Sequence, residues 1–182
     1  SIDGNLFIFG ENIVVKDGVV ILGNAFVAGN NVEINANIAG SLFVAGENIS
    51  FNGEAGYIYA AGQNFTIAEN AYIEKDVKFA GESFVNKGMI SRDLLTASES
   101  TTIGDGLFAK VNGKVQYTGE LIADDSAVSK VEKIEDKIGA SIPTEEIAAL
   151  SVAFSQTMKT IVNTAEIITG ILFILYNLKN LF

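Results

Sequence analysis

The fold is decided by a short repeated phrase, seen most clearly as Leu42-Phe43-Val44-Ala45-Gly46-Glu47-Asn48. An apolar run is followed by a small residue and then by Gly-Glu-Asn or a close variant. Related phrases begin at Leu6, Ala25 and Ile58, weaker ones at Val77 and Leu94, and a seventh at Val115. The marker residue falls at positions 10, 29, 46, 62, 81 and 98, in steps of 19, 17, 16, 19 and 17. A repeat of this length predicts a solenoid whose coils stack in register.

Side chains alternate within each phrase, as they do in a strand with one buried face. Leu42 and Val44 share one side of the strand, and Phe43 lies on the other. After the Gly-Glu-Asn corner, Ile49 and Phe51 begin a second alternation. The third apolar position of the coil is smaller and is occupied by Ile38, Ala55 and Ala71. Three short faces per repeat predict an all-β domain, a triangular parallel β-helix.

Composition excludes several classes of function. The formal net charge is -10, with only 12 Lys and Arg residues in 182, which argues against a nucleic-acid-binding face. There is no Cys, so disulfides and Cys-ligated metal sites are excluded. There is also no His, on which acyltransferases and carbonic anhydrases built on stacked coils depend. We expect neither an enzyme nor a bound cofactor.

Two polar columns follow the corner of the repeat. The first is acidic, with two neutral interruptions, and consists of Glu11, Asn30, Glu47, Gln63, Glu82, Glu99 and Glu120. A single column of outward carboxylates does not converge on one point as calcium requires, so it predicts a structural corner without a metal. The second column consists of Asn12, Asn31, Asn48 and Asn64 and predicts a ladder of side-chain amides between coils.

An exposed aromatic stripe is predicted on the outward side of the first strand of each coil. Its members are Phe7, Phe26, Phe43 and Tyr59. A stripe of this kind either marks an interaction surface or is covered by the C-terminal part of the chain.

The N-terminal coil is the predicted site of self-assembly. Its inward residues Leu6, Ile8 and Ile13 have no coil before them, so an apolar cross-section and unpaired strand edges are expected there. The partner predicted from this feature is a second copy of the chain.

The composition changes near residue 123, which divides the chain into a β-helix domain, 1–123, and an α-helical tail, 124–182. Asp124 and Asp125 provide capping carboxylates, and the apolar spacing that follows predicts a helix over about 126–138. Pro143 then begins a long apolar helix, predicted over about 143–181.

The long helix has an apolar stripe that includes Phe154, Ile161, Ile168, Leu172 and Leu175. Between residues 147 and 178 only Lys159 and Glu166 are charged. One interpretation is a helix docked on the solenoid or on a partner helix. The other is the beginning of a membrane anchor, although the most apolar part is shorter than the roughly 20 residues of a membrane span.

The repeated phrases resemble those of a known family. Phe43-Val44-Ala45-Gly46-Glu47-Asn48-Ile49 and Tyr59-Ala60-Ala61-Gly62-Gln63-Asn64-Phe65-Thr66-Ile67 are similar to bactofilins, the polymer-forming cytoskeletal proteins of bacteria, and to their membrane-associated relatives. The resemblance covers about residues 3–122. It implies a right-handed β-helix, assembly into filaments without nucleotide, and a scaffold role near the envelope. The long apolar tail departs from the short flanking tails of simple bactofilins.

These observations predict a non-enzymatic, bactofilin-like scaffold that self-assembles or organises partners at the bacterial cell envelope. The alternative is a monomeric, membrane-anchored surface β-helix that binds a protein or a glycan. A C-terminal helix that caps the last coil would block polymerisation at that end.

Overall fold

The computed structural model describes residues 1–104 and 106–134, and this part of the chain is built from strands joined by short turns. The strands are β1 (Leu6–Phe9), β2 (Asn12–Val15), β3 (Val20–Ile21), β4 (Ala25–Ala28), β5 (Asn31–Ile34), β6 (Asn37–Phe51), β7 (Glu54–Ile67), β8 (Tyr72–Ile73), β9 (Val77–Asn86), β10 (Met89–Ile90), β11 (Leu94–Ile103), β12 (Lys110–Tyr117), β13 (Glu120–Ala123) and β14 (Val128–Lys133). Every strand pairing among them is parallel.

The strands form three stacked ladders, which we call faces 1, 2 and 3. Face 1 contains β1, β4, residues 42–45, 58–61, 77–80 and 94–97, and continues into the last parts of β12 and β14. Face 2 contains β2, β5, the last parts of β6, β7, β9 and β11, and then β13. Face 3 contains β3, the beginnings of β6 and β7, then β8, β10 and the beginnings of β12 and β14. The predicted parallel β-solenoid is confirmed, with about seven turns.

The core consists of columns in which each side chain lies on the equivalent side chain of the next coil. On face 1, Leu42 pairs in register with Ala25 and Ile58, and Val44 with Val27 and Ala60. All six of these side chains are buried. The inward positions predicted for the second alternation are also buried, and they stack as Ile13, Val32, Ile49 and Phe65, and as Val15, Ile34, Phe51 and Ile67.

The third inward column differs from the prediction at one coil. Ala55 pairs with Ile73, so Ile73 rather than Ala71 occupies the position equivalent to Ile38. Ala71 is buried too, but it lies in the turn before β8. The turn Glu69-Asn70 shifts the alternation by two residues, which explains the misplacement.

The marker glycines are required because successive coils approach closely at this corner. A Cβ at Gly46 would lie 2.6 Å from the carbonyl oxygen of Gly29, and a Cβ at Gly62 would collide with the carbonyl oxygen of Gly46. Contacts this short are not found for real Cβ atoms, so a side chain would force the coils apart. The recurrence of glycine in the phrase is therefore imposed by backbone contact between coils.

The predicted helix over about 126–138 is wrong where the structure describes it. Residues Val128–Lys133 form β14, which pairs with β12 and so extends the solenoid beyond Ala123. Val128 stacks on Val111 of face 3, and Val131 stacks on Val115 of face 1. The spacing of three between Val128 and Val131 was interpreted as helical. It arises because the chain turns a corner between these two positions, which belong to different faces. The rest of this prediction and the helix over about 143–181 lie outside the described residues.

The inward and outward assignment predicts unequal effects of the same substitution at two adjacent positions. Val44→Asp places an unpaired carboxylate in the apolar core, where Val44 is only 5% exposed, and should cost about 4 kcal/mol or more. Phe43→Asp removes ring contacts on the outside and should cost about 1 to 2 kcal/mol. Urea unfolding followed by circular dichroism measures both, and equal losses would contradict the assignment.

Candidate functional site

The first coil of the described solenoid has strands with one unpaired edge. Within the described residues β1 pairs only with β4, and β2 only with β5, so the other edge of each strand is unpaired. Of the three predicted assembly residues, Leu6 and Ile8 are partly buried against the core and Ile13 is buried. The open surface at this end is therefore formed by Leu6 and Ile8 together with the backbone of β1 and β2.

Exposed apolar side chains concentrate around this end. Half of the ten large apolar residues exposed in the described part of the chain belong to the first coil: Phe7, Phe9, Val14, Val20 and Leu22. Phe7 is 52% exposed and Phe9 is 43% exposed, although both lie in a strand. Concentration in one coil, rather than scatter along the solenoid, is typical of an interaction surface.

The predicted aromatic stripe forms a continuous stack on face 1, here called the aromatic ladder (Phe7, Phe26, Phe43 and Tyr59). The ring centroids of successive members are 4.7, 4.8 and 5.0 Å apart, and the ring planes differ by at most 8°. Because each ring covers the next, the only uncovered ring face at the N-terminal end belongs to Phe7. At the other end the Lys78 ammonium lies 5.9 Å from the centroid of Tyr59.

Tyr57 joins the ladder from the side, which sequence reasoning missed. Its ring centroid is 6.2 Å from that of Tyr59, and the Lys75 ammonium lies 4.9 Å from its own centroid. Burial of the Tyr59 ring raises the pKa of its phenol, with further increases from Tyr57 and Asp76. Tyr59 is therefore a neutral hydrogen-bonding group at physiological pH.

A column of alanines, which we call the alanine column, runs beside the aromatic ladder and was also missed. It consists of Ala28, Ala45, Ala61, Ala80 and Ala97, which pair in register in successive coils. These residues alternate with inward ones, so they lie on the outside of face 1, two positions after the ladder residues. The sequence signal was the alanine before the marker position in the second to sixth phrases. Face 1 therefore has a ridge of rings beside a shallow trough.

The predicted asparagine ladder is confirmed on face 2. The side-chain Nδ2 groups of Asn31, Asn48 and Asn64 each donate to the Oδ1 of the preceding coil's asparagine, at 2.8, 3.1 and 3.0 Å. These bonds span 19, 17 and 16 residues, which matches the first three steps of the repeat. The ladder borders an open groove of about 570 Å³, whose other side carries Val14, Glu33, Ser50 and Thr66.

The fifth and sixth coils contain a polar cluster inside the core. The Thr101 hydroxyl lies 2.7 Å from that of Thr96 and 3.0 Å from that of Ser98, and all three residues are buried. Asn86 is fully buried, and its Nδ2 donates to the carbonyl oxygen of Gly88 at 3.1 Å. Among the described residues, the Asn86 Oδ1 atom has no hydrogen-bond donor. The interior is enclosed, so this cluster is part of the core rather than an accessible site.

The last described strand, β14, carries charged side chains on its outside. Glu132 forms an ion pair with Lys114 and accepts a hydrogen bond from Gln116 Nε2 at 3.0 Å. The hydrogen bond from Lys114, followed by that from Gln116, lowers the pKa of the Glu132 carboxyl. This ion pair lies on the outside of the last described coil, where both side chains are exposed.

Residues 1–104 and 106–134 offer neither a cluster of metal-binding carboxylates nor a membrane-spanning helix. No group of three or more Asp or Glu side chains in this range is arranged to hold a metal ion. Nor does this range contain a helix of the length and apolarity needed to cross a membrane. The predicted contact residues Phe154, Ile161, Ile168, Leu172 and Leu175 lie outside the described residues.

Comparisons with known proteins give no match: no family model, curated protein or solved structure is significantly similar to this chain.

The asparagine ladder should contribute measurably to stability. Asn48→Ala removes the amide bonds to both Asn31 and Asn64 and should lower the free energy of unfolding by about 1 to 2 kcal/mol. The adjacent exposed corner residue supplies the control, since Glu47→Ala should change it by less than about 0.5 kcal/mol. Urea midpoints compare the two variants, and no difference between them would show that the ladder is energetically neutral.

Proposed function

We propose that this protein is a non-enzymatic scaffold of the bactofilin type. A rigid solenoid assembles with further copies through its N-terminal coil and organises partners at the bacterial cell envelope. The right-handed winding implied by the resemblance belongs to this proposal. The proposal also includes the absence of a cofactor and of a nucleic-acid partner.

The observation that carries the proposal is the unpaired strand edge of the first described coil. The free edges of β1 and β2 present unpaired backbone N–H and C=O groups, and an unpaired edge is a template for another strand. Soluble proteins usually protect such an edge with charges, a proline or a bulge. Here β1 is Leu-Phe-Ile-Phe, which carries none of these.

The apolar side chains of the end coil add a driving force. Leu6 and Ile8 are covered by the second coil on one side only, because β1 has a single neighbouring strand among the described residues. Burial of apolar area contributes roughly 25 cal/mol per Å², so a docked second coil would gain both core contacts and ladder hydrogen bonds. This mode of assembly requires neither nucleotide nor metal.

Association with the envelope is supported by the sequence after residue 134. Only two charged residues occur between residues 147 and 178, which favours contact with lipid or with another apolar surface. Glu166 and Asn163 within this segment argue against a simple lipid-facing span. A solenoid on either side of the membrane is compatible with this contact.

A second candidate function is favoured by the groove on face 2. A monomeric solenoid held at the membrane could bind a protein or a glycan along the asparagine ladder, whose amides repeat once per coil. The aromatic ladder suits a sugar poorly, because stacking on a sugar needs an open ring face and its inner rings cover one another. The oligomeric state separates the two candidates, because the scaffold requires self-assembly and the second candidate is a monomer.

Self-assembly is tested with the full chain in mild detergent. Wild-type protein should form filaments or end-to-end dimers in electron micrographs and in sedimentation, with or without EDTA and without added nucleotide. Leu6→Lys should abolish them, because it places a charge on the apolar end surface. Ser50→Lys, on the outside of face 2, is the matched control and should assemble normally. A wild-type protein that stays monomeric at high concentration would refute the proposal.

The envelope association is tested by flotation with phospholipid vesicles. The full chain should float with the vesicles, and a chain lacking residues 143–182 should remain folded in circular dichroism and stay with the soluble fraction. Flotation of the shortened chain would assign membrane contact to the solenoid. Unfolding of the shortened chain would instead show that the removed segment is part of the core.

A further inference from the structure

Face 1 has a surface relief that fits a second copy of itself. The aromatic ladder forms a ridge, and the alanine column forms a trough two positions away on the same strands. Side chains on one face of a strand are about 6.6 Å apart at this spacing, so the ridge and the trough have nearly the same width. The ridge extends through the first four coils and the trough through the second to the sixth, so they lie side by side in the second, third and fourth coils.

We propose that two copies of this chain pair laterally through face 1, side by side and with the same polarity. This contact is distinct from the end-to-end assembly proposed above and does not depend on it. Its partner is a second copy of the chain, and its contact residues are the aromatic ladder and the alanine column.

The polarity of the pair follows from symmetry. Face-to-face pairing of identical surfaces needs a two-fold axis in the plane of contact. An axis along the strands reverses the solenoid axis and places ridge on ridge, so the troughs stay empty. An axis along the solenoid exchanges the two columns and places the ridge of each copy in the trough of the other. Only the second arrangement, with parallel solenoids in register, gives close packing.

The residues match coil by coil in this arrangement. Phe26 of one copy faces Ala28 of the other, Phe43 faces Ala45, and Tyr59 faces Ala61. In the first coil Phe7 faces Phe9, which pairs the two most exposed rings of face 1. The same rule brings Leu95 against Ala97 in the sixth coil. A large side chain therefore meets a small one from the second coil to the sixth, with Lys78 over Ala80 in the fifth.

Charge supports a second copy as the occupant. In the first four coils neither column carries a charged residue, so no charge is buried without a partner. In the fifth coil Lys78 is exposed, and the axis brings it toward the edge at which Glu82 of the other copy emerges. This places opposite charges at the rim of the contact, where a polar boundary is usual.

The area of the contact indicates a weak dimer. Six coils by two columns measure roughly 29 Å by 13 Å, which corresponds to burial on the order of 800 Å² over both copies. Stable complexes usually bury about 1,200 Å² or more. Pairing should therefore be detectable at high protein concentration, or where the chains are held close together.

Cross-linking tests the arrangement, because the chain has no cysteine and any introduced thiol is unique. Ala28→Cys and Ala97→Cys lie four coils apart, in the second and sixth coils. In the parallel pair, each thiol should lie about 12 Å from its counterpart in the other copy, whereas thiols at positions 28 and 97 of different copies should be about 22 Å apart. The experiment is done in the Leu6→Lys background, which removes end-to-end contacts, and with a bismaleimide whose span matches the shorter distance.

Both single-cysteine variants are expected to form cross-linked dimers with similar yield, and a mixture of the two should give few heterodimers relative to homodimers. Cross-linking at only one position, or preferentially between position 28 of one copy and position 97 of the other, would overturn the parallel arrangement. Cross-linking at neither position would overturn lateral pairing, while end-to-end assembly of the protein that retains Leu6 would be unaffected.

A matched pair of substitutions in β7 tests the trough itself. Ala61→Arg fills the exposed trough opposite Tyr59 of the other copy and should reduce dimer cross-linking by about tenfold or more. Thr66→Arg, in the same strand but on the outside of face 2, should leave it unchanged. Equal yields from both variants, with unchanged circular dichroism, would show that face 1 is not the contact.

Discussion

Backbone hydrogen bonding between parallel coils is the constraint on which the rest of the structure depends. Each coil pairs with the next along three faces, so a residue within a strand lies directly above or below its equivalents in neighbouring coils. A side chain is tolerated only if it can stack on a similar side chain about 4.8 Å away. Apolar columns, planar rings, amides and glycines satisfy this condition in different ways. The sequence repeats because similar residues must occupy equivalent positions in successive coils.

Different positions tolerate the stacking condition to different degrees. The glycine corner is strict, since a Cβ at Gly62 would collide with the Gly46 carbonyl oxygen. Even so, Ser98 occupies the equivalent position in the sixth coil, where its hydroxyl bonds to Thr101 and to the Ser100 carbonyl oxygen. The corners between faces absorb the differences in coil length, so steps of 16 and 19 residues leave the register of the asparagine ladder intact.

The sequence was sufficient to predict what repeats in every coil. Leu42, Val44 and Ile49 are inward and Phe43 is outward because period-two alternation survives wherever the chain is straight. Predictions failed where the chain bends. The turn at Glu69-Asn70 shifted the third column from Ala71 to Ile73, and the corner between Val128 and Val131 imitated a helical spacing. The alanine column was overlooked because its members are small. It forms a trough only in relation to the aromatic ladder beside it, and that arrangement is visible only in the three-dimensional structure.

The two proposed contacts act along perpendicular directions, and each strengthens the other. Parallel lateral pairing brings the open ends of β1 in two copies to the same level. A pair of ends then meets another pair, and the second end contact forms at the effective concentration set by the first. Two contacts that are individually weak would thus give a stable assembly. Antiparallel pairing would separate the two ends by the length of the solenoid and lose this advantage, so the polarity set by the ridge and the trough also determines whether the N-terminal coil can act cooperatively.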